Sequence, residues 1–231
     1  MSEITTTKTH YIKEGKRYDR ITSVLDYFAT PQLVDWKMKL GKFASSKISK
    51  EAKKVGTRVD GLIKTHITTG KDKLTTNDGQ AVVNCYRGYL QWTKDYSPKI
   101  ECVDKTLFWE ELGVAGTLDL EHKFDGVVDI KCSESIRKNY WLQVAMYTKM
   151  LEVVEGKKFK QIWILRLDKM TGDYQFKPME YSEAYVSLFI GLLANYRYQQ
   201  KEEEEDDDTG AGDSKSSNGI AFGEVEKEYG F

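Results

Sequence analysis

Two short runs separated by a turn constrain this chain of 231 residues more than any other feature. Residues 114–121 alternate small or polar side chains with apolar ones, and residues 126–132 form a β-branched run. Both are predicted strands, joined at Asp125-Gly126. Alternate side chains of a strand share a face, so Thr117, Asp119 and Glu121 are expected on one side and Leu118 and Leu120 on the other. Asp129 and Lys131 likewise share a face, with Ile130 turned into the core. A two-residue loop of Asp125 and Gly126 would set Leu120 opposite Lys131. A three-residue loop, Phe124-Asp125-Gly126, instead sets Asp119 opposite Lys131 and Glu121 opposite Asp129, and places glycine where a turn with a bulge wants a left-handed residue. The odd-length loop is the prediction.

In that register Asp119 and Asp129 would share a divalent cation, and hard oxygen ligands favour Mg²⁺ or Mn²⁺ over zinc. Such an ion polarises a phosphate and lowers the pKa of a bound water. Lys131 would orient that water and offset charge developing in the transition state. Two carboxylates and a lysine in this order suit metal-dependent phosphodiester hydrolysis. Gln143 and Tyr147, four residues apart on a predicted helix, follow; in isolation they read as the polar edge of an amphipathic helix.

The set Gly116-x-x-Asp119, Asp129-x-Lys131 and Gln143-x-x-x-Tyr147 resembles the RecB-like branch of the PD-(D/E)XK nuclease superfamily, particularly phage-type exonucleases. Upstream, Gly56-Thr57-Arg58-Val59-Asp60, opening a helix, resembles that family's Gly-Thr-x-x-His segment, with Asp60 where histidine or an acid often stands. The resemblance implies that Asp60, Asp119, Asp129 and the carbonyl of Ile130 hold metal, that Asp119, Asp129 and Lys131 are catalytic, and that Gln143 and Tyr147 contact DNA or brace the site. It implies a restriction-endonuclease-like α/β core, a central mixed β-sheet flanked by helices, acting as an exonuclease in phage-type DNA recombination, replication or repair. A catalytically silent DNA-binding module and an endonuclease of the same superfamily are the alternatives. For Asp60 the plain alternative is a surface or first-turn acid that complements the helix dipole. Glu110, Glu111 and Glu121 are further acids near the site, and His66 reads as structural or exposed.

Several RecB-like nucleases carry a four-cysteine iron–sulfur cluster. Cys85, Cys102 and Cys132 are too few for one, so no cluster is expected. No transmembrane or secretory pattern is visible, which leads to the expectation of a soluble, cytoplasmic protein without a membrane partner. From Lys201 onward there are eleven acids and three bases, which leaves residues 1–200 with 25 acids and 32 bases. A basic body suits a polyanionic partner such as DNA.

The most basic stretch, residues 37–54, holds seven lysines and one acid, Glu51. It is either a solvated helix face or a phosphate-tracking surface leading to the site, with Lys50, Lys53, Lys54 and Arg58 as candidate DNA contacts. Helices are predicted at 21–28, capped near Thr22 or Ser23, then from Gln32, at 56–67, 80–95, 139–154 and 182–198, the early ones forming one wall of a DNA cleft. Strands are expected at 99–104, 106–112, 161–168 and 174–178. Tyr86, Tyr89, Trp92 and Tyr96 recur at helical spacing and read mainly as core. Residues 1–200 are taken as the nuclease domain and 201–231 as a disordered acidic tail. That tail either solubilises the chain, or competes with DNA for the basic groove or recruits a replication or recombination protein.

Overall fold

The computed structural model describes residues 4–28, 31–123 and 126–210. Three short strands open the chain, β1 (Ile4–Thr6), β2 (His10–Lys13) and β3 (Lys16–Arg20), followed by α1 (Ile21–Tyr27), α2 (Pro31–Leu40), α3 (Lys42–Thr69) and α4 (Gln80–Tyr96). Then come β4 (Ile100–Trp109), β5 (Val114–His122), β6 (Gly126–Cys132), α5 (Lys138–Glu155), β7 (Gln161–Leu167), β8 (Tyr174–Glu180) and α6 (Glu183–Gly210). The strands form a mixed sheet in the order β1-β2-β3-β5-β6-β7-β8, with β4 paired to β5. Only β3/β5 and β6/β7 are parallel among the described pairs. Met1–Leu193 is one compact unit, which holds the whole sheet, and Ala194–Phe231 is a second.

Helices cover the sheet on both faces, as a mixed sheet of this kind requires. One layer is α3 and α4, whose Val59, Leu62, Ile63, Tyr86, Tyr89 and Trp92 bury a continuous core against Leu120, Val128 and Leu165. The aromatic stripe of α4 is therefore packing, except at its end, where Tyr96 is exposed. The other layer is built on α5, which contributes Val144, Ala145, Met146, Tyr147, Met150 and Leu151, all buried.

Several boundaries differ from the sequence expectation. Residues 99–112 hold one ten-residue strand, β4, in place of two. The helix predicted to begin at Gly56 is the second half of α3, 28 residues long, so Asp60 lies far from its N-terminus and cannot be a first-turn acid. A break does separate α2 from α3, at Gly41, whose φ of +77° is accessible mainly to glycine. Helix α1 begins at Ile21 behind Arg20, with no side-chain cap from Thr22 or Ser23. The C-terminal helix does not stop near Tyr198: its backbone continues through the acidic run to Gly210, consistent with the high helix propensity of glutamate. The remainder of the acidic tail, 211–231, lies outside the described residues, and no helix among them is long and apolar enough to cross a membrane.

The segment between α3 and α4 is irregular and is fastened by one ion pair. Arg58 places Nε 2.6 Å from Asp78 Oδ1 and Nη2 2.8 Å from Oδ2, while Nη2 also donates to the carbonyl of Lys73. Asp78 further accepts from the Thr75 backbone N–H, and the Arg58 side chain is the first cause holding its carboxyl below the usual range. A carboxyl pKa lowered on folding stabilises the fold fully above about pH 4, its unfolded value, and this contribution fades as pH falls through the lowered folded value. Urea midpoints of the native chain and Asp78→Asn should therefore converge as pH is lowered from 5 toward 2; parallel curves would show that the pair contributes nothing.

Candidate active site

The sheet forks at the two aspartates picked out by sequence. Strand β4 pairs along one whole edge of β5, so β3 and β6 must share the other edge. Strand β3 takes Val114 and Ala115 at one end, and β6 takes Leu120, Glu121 and His122 at the other. Between them, residues 116–119 of β5 have no strand partner on that edge among the described residues. Beyond Val128, β6 leaves β5 and continues only with β7. The Ile130 N–H, which a continued β5 ladder would satisfy, is taken instead by the Asp119 side chain, with Oδ2 at 2.7 Å.

The observed register corrects the predicted one. Glu121 pairs with Val127 and His122 with Gly126, so Asp119 is level with Asp129 and not with Lys131. The connection keeps odd length but is displaced by one residue, and Gly126 becomes the first strand residue at φ +100°. Phe124 and Asp125 of the predicted loop lie outside the described residues. The alternation expected along β5 is also interrupted. A Cβ on Gly116 would meet Tyr147 of α5, whereas Leu120 belongs to the α3–α4 core, although strict alternation would put both on one face. The break coincides with Asp119 and its opposite number Asp104, which drop out of the β4–β5 ladder; Asp104 has φ +53° and pairs with Lys64 of α3.

Asp129 is fully buried, and Lys131 Nζ lies 2.9 Å from its Oδ1 and 2.7 Å from its Oδ2. Despite that short ionic distance, Oδ2 makes no directed hydrogen bond and is cut off from solvent. Lys131 Nζ also stands 5.1 Å from the Tyr140 ring centre on α5. Burial pushes the Asp129 carboxyl up to about 7, with Lys131 opposing and Asp119 adding to the rise. Burial raises Asp119 too, against Lys131 and the Ile130 N–H. For Lys131, burial works to lower the pKa, but the two aspartates outweigh it and the group stays above its ordinary value.

Asp60, from α3, faces Asp119 across a cleft of about 340 Å³ lined also by Gly56, Thr57, Ile130 and Cys132. Burial and then the charge of Asp119 raise its carboxyl, with Lys64 and Lys131 opposing. Among the described residues no three carboxylate, imidazole or thiolate side chains converge tightly enough to close a metal shell. The donors nonetheless fit a hard divalent cation that keeps water and phosphate oxygens as ligands: carboxylates in mutual repulsion, one with a buried oxygen lacking a hydrogen bond.

Other predicted residues divide clearly. Tyr147 is 2% exposed and accepts a 3.2 Å hydrogen bond from Gln143 Nε2, so it braces the fork from within. Arg58 is engaged by Asp78, and Lys54 by Glu51 at 2.7 Å, whereas Lys50 and Lys53 make no ion pair among the described residues. Glu121 is buried between Lys105 and Lys157, 2.6 and 2.5 Å away, and Glu110 binds Lys13, Lys16 and the Tyr18 hydroxyl; neither faces the cleft. His66 bonds the Tyr89 hydroxyl. Sequence reasoning missed Asp26 of α1, an exposed acid within electrostatic reach of Lys131 and Lys53; only the fold brings it there.

No protein-family model matches the chain, nor does any curated protein. As a structure it is similar to a putative exonuclease from Eubacterium rectale, at 19% identity over 61% of this chain with a TM-score of 0.43; the chain spans 62% of that protein's length. It is also similar to LHK-Exo, an alkaline exonuclease from Laribacter hongkongensis, at 12% identity over 84% of this chain and 93% of that one, with a TM-score of 0.46. The same enzyme in complex with dAMP gives a TM-score of 0.41 at the same identity and coverage. With TM-scores below 0.5, none of these likenesses bears on which residues of this chain act.

Two outcomes follow from the geometry. A Cβ at Gly116 would stand 2.5 Å from Tyr147 Cε1 and 3.2 Å from Ile21 Cδ1, so Gly116→Ala should cost about 1–3 kcal/mol in urea unfolding, as overpacking does; a smaller loss would mean the ring moves freely. Because the Asp129 pKa rises on folding from about 4 to about 7, the folded metal-free chain holds more protons between those values. Its stability should fall as pH rises from 4 to 7, and Asp129→Asn should flatten that slope; an unchanged slope would assign the effect elsewhere.

Proposed function

We propose that the fork is the active centre of a metal-dependent nuclease that hydrolyses DNA phosphodiester bonds. The observation that carries this reading is the placement of Asp119 and Asp129 level with each other where the strands part, with Lys131 against Asp129 and an open cleft in front. Asp119, Asp129 and the carbonyl of Ile130 would hold the cation, Mg²⁺ or Mn²⁺, with Asp60 on the opposite wall. The ion, when bound, supplies polarisation of the scissile phosphate and a water of lowered pKa.

Lys131 remains an ammonium at working pH, so it acts as a donor and a positive charge rather than a base. It orients the attacking water and offsets charge gathering on the phosphate oxygens. Asp119 is held by the Ile130 N–H and thus presents its remaining lone pairs in a fixed direction. Tyr147 and Gln143 hold the β5 edge behind it. On the α3 wall, Lys50 and Lys53, which make no ion pair among the described residues, would meet the incoming backbone, while Arg58 and Lys54 already have partners. Preference for strand ends is drawn from the family resemblance of the motif set.

End-labelled linear DNA beside covalently closed circles, with Mg²⁺, Mn²⁺ or chelator, tests this reading. Linear DNA should shorten only with metal, and Asp129→Ala and Lys131→Ala should each lose about 10²–10³-fold or more in rate. Cutting of circles would make the enzyme an endonuclease. Failure of the native chain on both substrates with every metal would overturn the nuclease reading.

A further inference from the structure

Three clefts run in series along α3. The site cleft shares Thr57 with a second cleft of about 620 Å³ lined by Lys50, Lys53 and Arg58, which shares Lys50 and Lys53 with a third of about 400 Å³ reaching Lys37, Lys42 and Ser46. The helix explains the continuity. Phe43, Lys50, Lys54 and Gly61 recur at intervals of seven, four and seven, which keeps them on one stripe, flanked by Ser46, Lys53 and Thr57. From Lys42 to Asp60 the helix rises about 27 Å. At the far end, beside the Gly41 break, Phe43 is 86% exposed and Met38 of α2 is 78% exposed, both among lysines. Phe43 is the most exposed large apolar side chain among the described residues.

We propose that the α2–α3 ridge is a track for a single nucleic-acid strand, on which Lys50 and Lys53 take phosphates and Phe43 stacks on an unpaired base. The choice of a single strand comes from the pairing of chemistries. Lysines alone would accept any polyanion, and an exposed ring alone any apolar partner. A ring on the same helix stripe as a row of lysines matches a polymer that carries charge along its backbone and open π-faces beside it. A duplex hides those faces. The reading depends on the nuclease proposal only for the identity of the polymer, and it makes the ridge the part that selects unpaired strands before they reach the fork.

The test is equilibrium binding of the full chain in chelator, so that no cleavage occurs, read by fluorescence anisotropy. The probes are an oligothymidine strand, an abasic strand of equal length and a blunt duplex. Phe43→Ala should weaken oligothymidine binding between about 5-fold and about 100-fold, leave the abasic strand and the duplex within about 2-fold, and leave the salt slope unchanged. Phe43→Trp should retain or raise the oligothymidine affinity. Lys50→Ala with Lys53→Ala should reduce the salt slope on either single strand by about 1.4. Because Phe43 is exposed, thermal unfolding by circular dichroism should match the native chain, which separates a lost contact from a lost fold. Equal losses on all three probes, or none with Phe43→Ala, would overturn the proposal, as would a native chain that binds no strand, which would assign the ridge to a protein partner. A chain that shows the Phe43 pattern yet cleaves nothing would keep this proposal and remove the nuclease one.

Discussion

One hydrogen bond decides the architecture of the site. A buried N–H without a partner costs on the order of 1–3 kcal/mol, so a sheet can fork only where something replaces the missing ladder. Asp119 does so for Ile130. The bond lets β6 leave β5 while still running parallel to β7, and it opens the edge of β5 between β3 and β6. It also spends one lone pair of Asp119 on the fold and leaves the others facing the cleft. The same carboxylate thus repairs the sheet and lines the cleft, which is why its position cannot be separated from that of Ile130.

Charge is concentrated at this repair. Burial raises the carboxyl pKa of Asp60, Asp119 and Asp129, the charge of Asp119 adds to the rise at the other two, and Lys131 sits against the most buried of them. A buried carboxylate with an oxygen lacking a hydrogen bond is a poor device for stability, since well-packed apolar groups of similar volume would serve the fold better. Groups with strongly displaced pKa values in a cleft are more often associated with chemistry than with structure. The contrast with Glu121 is instructive: it is equally buried, but two lysines hold it, whereas Asp129 has Lys131 on one side and the charge of Asp119 on the other.

The strand pair, the helix order and the aromatic stripe of α4 were legible because each depends on local periodicity. Tyr86, Tyr89 and Trp92 obey their spacing down to burial. What sequence hid were pairings over long separations and breaks in period. Gly126 is drawn into the strand with Gln161 and Phe159 crowding it, which shifts the register by one residue on each strand, and nothing local announces that. The change of face between Gly116 and Leu120 requires Asp104, fifteen residues before Asp119, to leave the ladder toward Lys64. The partners of Arg58 and Glu110 were hidden for the same reason: Asp78 lies twenty residues from Arg58, and the N-terminal hairpin that holds Glu110 lies more than ninety residues before it. The Gly-x-x-Asp spacing was visible, but its reason, a tyrosine ring resting on Gly116, lies 31 residues downstream.

Two glycines inside α3 complete the physical argument. Gly56 and Gly61 stand in a helix interior, where each costs roughly 0.5–1 kcal/mol relative to alanine. Close packing does not explain them, because a Cβ at either would meet nothing within 4 Å. Their dihedrals are helical, so no turn requires them. What they share is location: Gly56 lines the cleft in front of Asp119 and Gly61 the adjoining cleft below Lys50 and Lys53. A helix that forgoes side chains only where it borders the charged groove is keeping room for something that passes along it. That cost to helix stability is intelligible if the groove carries a ligand past the fork, and has no counterpart in the packing of the fold.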